Sequence, residues 1–199
     1  MFAAYVPTTE PGTEPLSLSE AKAHLRVTTD AEDALITDLI KSARMYCENT
    51  TRRPLISQEW EMYIDCFPPL LRVEKTPVVS IDKVSYIAEA TEDGSYTDLE
   101  VDTDYQSDLK SMFPRILPAY GKCWPDTRCV MNAVRVQFTV GYANASKVPG
   151  PIKQAMKLLI SSWFNNREAI VSGNGVTVAE LPAPVGVRWI LSGHRAWRF

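Results

Sequence analysis

The chain has 199 residues, 45% of them hydrophobic, enough for one ordinary domain, or one domain carrying a sizeable insertion, around a real core. Its formal charge of −3, from 21 basic and 24 acidic residues, argues against a protein that holds nucleic acid over its whole surface. Four cysteines, Cys47, Cys66, Cys123 and Cys129, form no C-x-x-C pair, so neither a zinc site nor a disulfide framework is suggested, and free thiols fit a reducing cytosol.

The opening MFAAYVPTTEPGTEPLS lacks the basic and apolar regions of a signal peptide, and no later apolar run approaches membrane-spanning length. A cytoplasmic protein, or one packed there into something larger, is expected. Pro7, Pro11, Gly12 and Pro15 mark residues 1–15 as a flexible arm. Ser17 and Glu20 then have the spacing of a capping box, with Leu16 and Ala21 as its staple, and a short helix is predicted from Leu18 to about Arg26. Thr29 with Glu32 suggests a second box, opening a longer helix whose apolar face is Leu35, Ile36, Leu39, Ile40, Ala43 and Tyr46, and which Pro54 ends. From Gln58 the period becomes two, with Trp60, Met62, Ile64 and Cys66 on one face of a strand broken by Pro68 and Pro69.

Further strands are predicted at Val78–Ile81, Val84–Ala88 and Arg115–Leu117, with a turn at Asp93-Gly94. The clearest strand carries Val134, Val136, Phe138 and Val140 and stops at Gly141. Pro149, Gly150 and Pro151 then start a long helix on which Ile152, Ala155, Met156, Leu159 and Trp163 repeat at helical spacing. Ser172-Gly173-Asn174-Gly175 reads as a hinge, and the last segment, LPAPVGVRWILSGHRAWRF, is aromatic and basic with little helical periodicity. This order predicts an α+β fold, a small helical bundle with an inserted antiparallel β domain. Its parts are the arm (1–15), a helical part of the bundle (16–57), the β domain (58–142), the long helix (143–172), and a hinge with a C-terminal docking tail (173–199).

Reactive constellations are sparse. His24 and His194 are the two imidazoles, neither beside a G-x-S-x-G elbow, so no catalytic residues are assigned. Asp102, Asp104 and Asp108 alternate as calcium ligands can, but their loop lacks the glycine and terminal glutamate of an EF-hand. No G-K-[ST] follows Gly173-Asn174-Gly175, so it is not a phosphate cradle. No metal or cofactor is expected. Trp163, Arg167 and Glu168 at the end of the long helix suit a packing or subunit contact. An enzyme or ligand-binding protein using Arg167 and Glu168 beside Asp104 is the rival reading. In the tail, Val187, Arg188, Trp189, Ile190, Leu191, Arg195, Trp197, Arg198 and Phe199 have the aromatic and arginine content that buried interfaces enrich. Folding back of this tail over the bundle, or contact with single-stranded nucleic acid, are the alternatives. Charge is uneven: between Asp82 and Asp108 nine carboxylates stand against one lysine, whereas after Glu180 every charged residue is an arginine.

Two units carry a family resemblance. One is S-x-x-E-A-K-x-H-L-R-V, carried by Ser17, Glu20, Ala21, Lys22, His24, Leu25, Arg26 and Val27. The other is G-Y…V-P-x-x-I…R-E, carried by Gly141, Tyr142, Val148, Pro149, Ile152, Arg167 and Glu168. With DALITDLIKSARMYCENTTRRPLI between them, the chain from about Leu16 to about Leu191 resembles the head-to-tail connector (adaptor, or head-completion) proteins of tailed double-stranded-DNA bacteriophages and prophages. The L-P-x-x-x-G-V close is partly met by Leu181, Pro182, Gly186 and Val187. The resemblance implies a non-enzymatic ring protein of the virion neck, twelve-fold, which binds beneath the portal protein and receives the next neck or tail component. DNA would pass through it without specific binding, and no membrane is involved. It also implies that residues 187–199 face the portal.

Overall fold

A computed structural model describes residues 3–91, 93–166, 170–171, 179–180 and 184–196. The chain divides into two compact units, Met1–Gly12 with Ile56–Ala143 and Thr13–Leu55 with Asn144–Trp197. The fold is α+β: helices form the second unit, and the antiparallel β unit interrupts them in sequence.

The β unit contains β1 (Ala4–Pro7), β2 (Gln58–Ile64), β3 (Leu71–Arg72), β4 (Val78–Tyr86), β5 (Thr97–Leu99), β6 (Tyr105–Asp108), β7 (Arg115–Pro118) and β8 (Val134–Val140). One sheet has the order β1-β2-β8-β4-β5, and a second has β3-β7-β6. The period-two pattern of β8 works as expected, because Val134, Val136, Phe138 and Val140 are all fully buried. Met62 and Ile64 of β2 lie opposite Val136 and Val134, and Leu71, Val73, Tyr105 and Ile116 from the smaller sheet complete one apolar core. Gly141 stops β8 for a steric reason: φ is +114°, and a Cβ there would stand 2.2 Å from the Ile56 carbonyl oxygen.

Four features of this unit differ from expectation. Residues 4–7, expected within a flexible arm, form β1: Tyr5 packs edge-on against Phe138 with ring centroids 6.3 Å apart, and its hydroxyl accepts the Glu74 N–H at 2.9 Å. Pairing with β2 supplies backbone partners that composition cannot reveal. Cys66 lies beyond the end of β2 and is exposed. The two strands expected at 78–81 and 84–88 are one strand, β4, whose register shifts twice against β8. Finally, β3 and β6 were not expected; β3 is two residues long, and β6, YQSD, has no apolar alternation.

The helical unit contains α1 (Leu18–Leu25), α2 (Asp33–Thr51), α3 (Gly150–Asn165) and α4 (Val185–Ser192), with a short antiparallel pair, β9 (Ile170–Val171) and β10 (Ala179–Glu180). The first capping box is complete: the Ser17 hydroxyl accepts the Glu20 N–H, and the Glu20 carboxylate accepts the Ser17 N–H. The second is not formed. Glu32 occupies the N-cap of α2 but its side chain makes no capping bond there, and Lys22 ties down this entrance through Asp30 and Asp33, at 2.7 and 2.6 Å. The buried stripe of α2 is Ile36, Ile40, Ala43, Cys47 and Thr51, rotated from the expected one so that Leu35 faces outward. Arg44 bridges Glu14 at 2.8 Å and Glu48 at 2.9 Å, drawing the segment before α1 onto α2.

α3 buries Ile152, Ala155, Met156, Leu159 and Ile160, one residue row wider than its sequence stripe. The largest departure is α4. The segment expected as a docking tail of little periodicity is a helix packed on α3 and α2, with Val187 and Leu191 fully buried one turn apart. Just beyond it, the Ala196 N–H donates to the Thr51 carbonyl at 2.9 Å. Burial of each large side chain contributes about 1.5–3 kcal/mol, which is what holds so short a helix in place.

Candidate assembly interface

The residues expected to bind a partner differ in burial. Val187 and Leu191 are withdrawn from that role, because as i and i+4 neighbours they point into the core of their own unit. Arg188 and Trp189, on the opposite side of α4, are exposed, Trp189 by 76%. Ile190 and Arg195 are half-buried. Trp197, Arg198 and Phe199 lie outside the described residues, as do Arg167, Glu168 and the Gly173-Asn174-Gly175 segment. Trp163 is half-buried and meets Tyr46 of α2 edge to face, with ring centroids 6.2 Å apart. It serves the α2–α3 contact.

The carboxylates singled out in the β unit serve local structure. Asp104 accepts the Glu100 N–H at 3.0 Å, and Asp102 adopts a left-handed backbone with φ +64°. Asp108 is clamped by Arg115 at 2.6 Å, with the Ser111 hydroxyl and the Lys110 N–H as further donors, and these hold its carboxyl well below the usual range. Among the described residues no group of three or more His, Cys, Asp or Glu side chains is arranged to hold a metal ion. His24 is exposed on α1 and His194 is half-buried after α4. A cavity of about 380 Å³ in the β unit is lined by Cys66, Phe67, Trp124, Asp126 and Cys129, among others, without an arginine, lysine or histidine on its wall. Phe67 and Trp124 stack there at 4.4 Å.

A surface that sequence reasoning missed lies on the β6–β7 hairpin. Val101, Leu109, Met112, Leu117 and Tyr120 are all exposed, within 20 consecutive residues. Backbone bonds fix the place of three of them. Val101 bridges to Tyr105, Gln106 of β6 pairs with Leu117 of β7, and the Ala119 N–H donates to the Asp104 carbonyl, placing Tyr120 beside the same turn. Their signal in the sequence was weak, because their positions follow no regular period.

Fold and surface together define an α+β chain of two compact units whose candidate functional features are exposed faces. The chain belongs to the phage gp6-like head-tail connector protein family, whose model matches residues 15–118. In structure it is similar to a chain in the neck of an empty GTA particle computed with C6 symmetry, with a TM-score of 0.75, 22% identity, and coverage of 98% of this chain and 97% of that one. A chain from the virion of the native gene transfer agent (GTA) particle gives a TM-score of 0.75 and 22% identity, covering 98% and 96%. A chain in the neck of the native GTA particle computed with C12 symmetry gives 0.68 and 21%, covering 98% and 97%. At such identities the likeness is one of fold. No curated protein matches the chain.

Proposed function

We propose that this protein is a non-enzymatic ring component of a virion neck, joining the portal of a phage head to the next neck or tail protein and letting DNA pass. The family match over residues 15–118 carries this reading. The fold likeness to chains in particle necks solved with C6 and C12 symmetry supports a ring, twelve-fold in the virion. The net charge of −3 suits a channel in which DNA must slide, since a strongly basic ring would retain phosphate.

Within the C-terminal region, Arg188 and Trp189 are the side chains offered to the portal, together with the residues that follow Ala196. An exposed tryptophan beside an arginine is the composition of an interface anchor. Electron microscopy of the purified protein, alone and mixed with portal assemblies, tests both levels. Rings that cap portals are expected, and Arg188→Ala with Trp189→Ala should weaken capping while leaving the fold intact. A chain that stays monomeric and ignores portals at every concentration rejects the ring; portal binding unchanged by the double substitution rejects these anchors.

A further inference from the structure

We infer that Arg52 and Arg53, at the end of α2, form a docking site for a carboxylate of the portal protein. The inference rests on the portal reading above and adds to Arg188 and Trp189 a second contact, on another helix. Arg53 carries the main observation. It is half-buried, and its Nε is shut away from solvent with no acceptor, while its Nη nitrogens stay reachable and likewise have no partner among the described residues. Withdrawing part of a guanidinium from water without an opposing charge is unfavourable, and a carboxylate lying across the two Nη nitrogens would supply the missing charge. Arg52 beside it is exposed, and its side chain makes no hydrogen bond or ion pair among the described residues. It stands at the C-cap of α2 in a left-handed conformation, with φ +58°. Glycine holds that conformation without strain, so the backbone gives no reason for an arginine there.

No neighbouring carboxylate answers either arginine. Residues 51–53 and 185–196 contain no Asp or Glu, and Glu48, one turn back on α2, is taken by Arg44 and by the Leu55 N–H. The site also adjoins the segment offered to the portal. The Ala196 N–H donates to the Thr51 carbonyl at 2.9 Å, so the half-buried Arg195 and the exposed Arg52 flank one hydrogen bond. A positive site continuous with that segment fits an acidic stretch of the same partner, and the planar fork of arginine matches a carboxylate. Duplex DNA would call instead for a track of exposed cations following the phosphates, whereas a half-buried guanidinium makes a point contact. The C-terminal dipole of α2 also favours cations, so capping and docking must be separated by experiment.

The test uses the full chain and purified portal assemblies, reading ring yield by mass photometry and portal capping by titration under the electron microscope. Arg53→Gln and Arg52→Gly should each keep ring yield at the wild-type level and weaken capping by about tenfold or more, as when one partner of a desolvated charge pair is removed. Arg53→Lys keeps the charge without the fork and should restore capping only in part. The urea midpoint of Arg52→Gly should equal or exceed that of the wild type, since glycine relieves the left-handed strain. A midpoint clearly below wild type makes Arg52 a helix cap and overturns its docking role. Wild-type capping by all three variants overturns the site and leaves the portal reading standing. Loss of rings in the variants gives the arginines to a copy-to-copy contact, and salt-sensitive binding of duplex DNA that the variants lose gives them to phosphate; either result overturns the portal assignment. A wild type whose rings never cap a portal overturns the portal reading and this site with it.

Discussion

Two residues show how local chemistry is set by what surrounds it. Gly141 combines a positive φ with a backbone carbonyl where a Cβ would lie, so neither the conformation nor the space admits a side chain. Gly141→Ala should therefore destabilise the β unit by about 3 kcal/mol, a large single-site effect, read as a fall in the urea midpoint. Glu48 is a different case. Burial pushes its carboxyl up, outweighing the Leu55 N–H and Arg44, which pull it down. A carboxyl raised in the folded state binds protons more tightly than the unfolded chain does, so its contribution to stability declines as pH rises from the ordinary value of 4.5 through the raised one. Glu48→Gln should remove that declining slope, seen when urea midpoints are plotted against pH. Gly141 was readable in the sequence as a strand stop, whereas Glu48 lies outside the apolar face predicted for its helix. Its contact with Arg44 lies one turn away and could be guessed, whereas Glu14 joins them from 30 residues upstream.

At the scale of elements, legibility followed the strength of local signals. The Ser17–Glu20 box, the alternation of β8 and the stripe of α3 rest on contacts within a few residues or on a regular period, and each formed where expected. The Thr29–Glu32 box failed because Lys22, from the preceding helix, engages Asp30 and Asp33 at the entrance of α2. α4 was invisible because two buried residues one turn apart do not make a period, and its stability comes from packing on α2 and α3. The two sides of α4 should separate experimentally. Leu191→Ala should cost about 2–5 kcal/mol of stability, whereas Trp189→Ala should change it by less than about 0.5 kcal/mol, both read from denaturant midpoints. Equal losses would show that the outward side of α4 is also structural.

For the whole molecule, the relevant property is asymmetry. A β unit rich in carboxylates and a helical unit rich in cations lie in one chain, so head-to-tail assembly should be favoured electrostatically and weakened by screening. Ring fraction measured by sedimentation should fall as salt is raised above physiological strength; a salt-independent or salt-strengthened ring would indicate a contact dominated by apolar burial. By itself the sequence determined the α+β order, the main helices and strands, the uneven charge and the resemblance that the family match confirmed, because these depend on short-range periodicity, capping and composition. Only the tertiary structure decided that Val187 and Leu191 face inward while Trp189 faces out, that residues 4–7 add a strand, and that Val101, Leu109, Met112, Leu117 and Tyr120 stay exposed. Such outcomes depend on which distant segments supply partners for backbone groups and apolar surface, and local spacing carries no record of that choice.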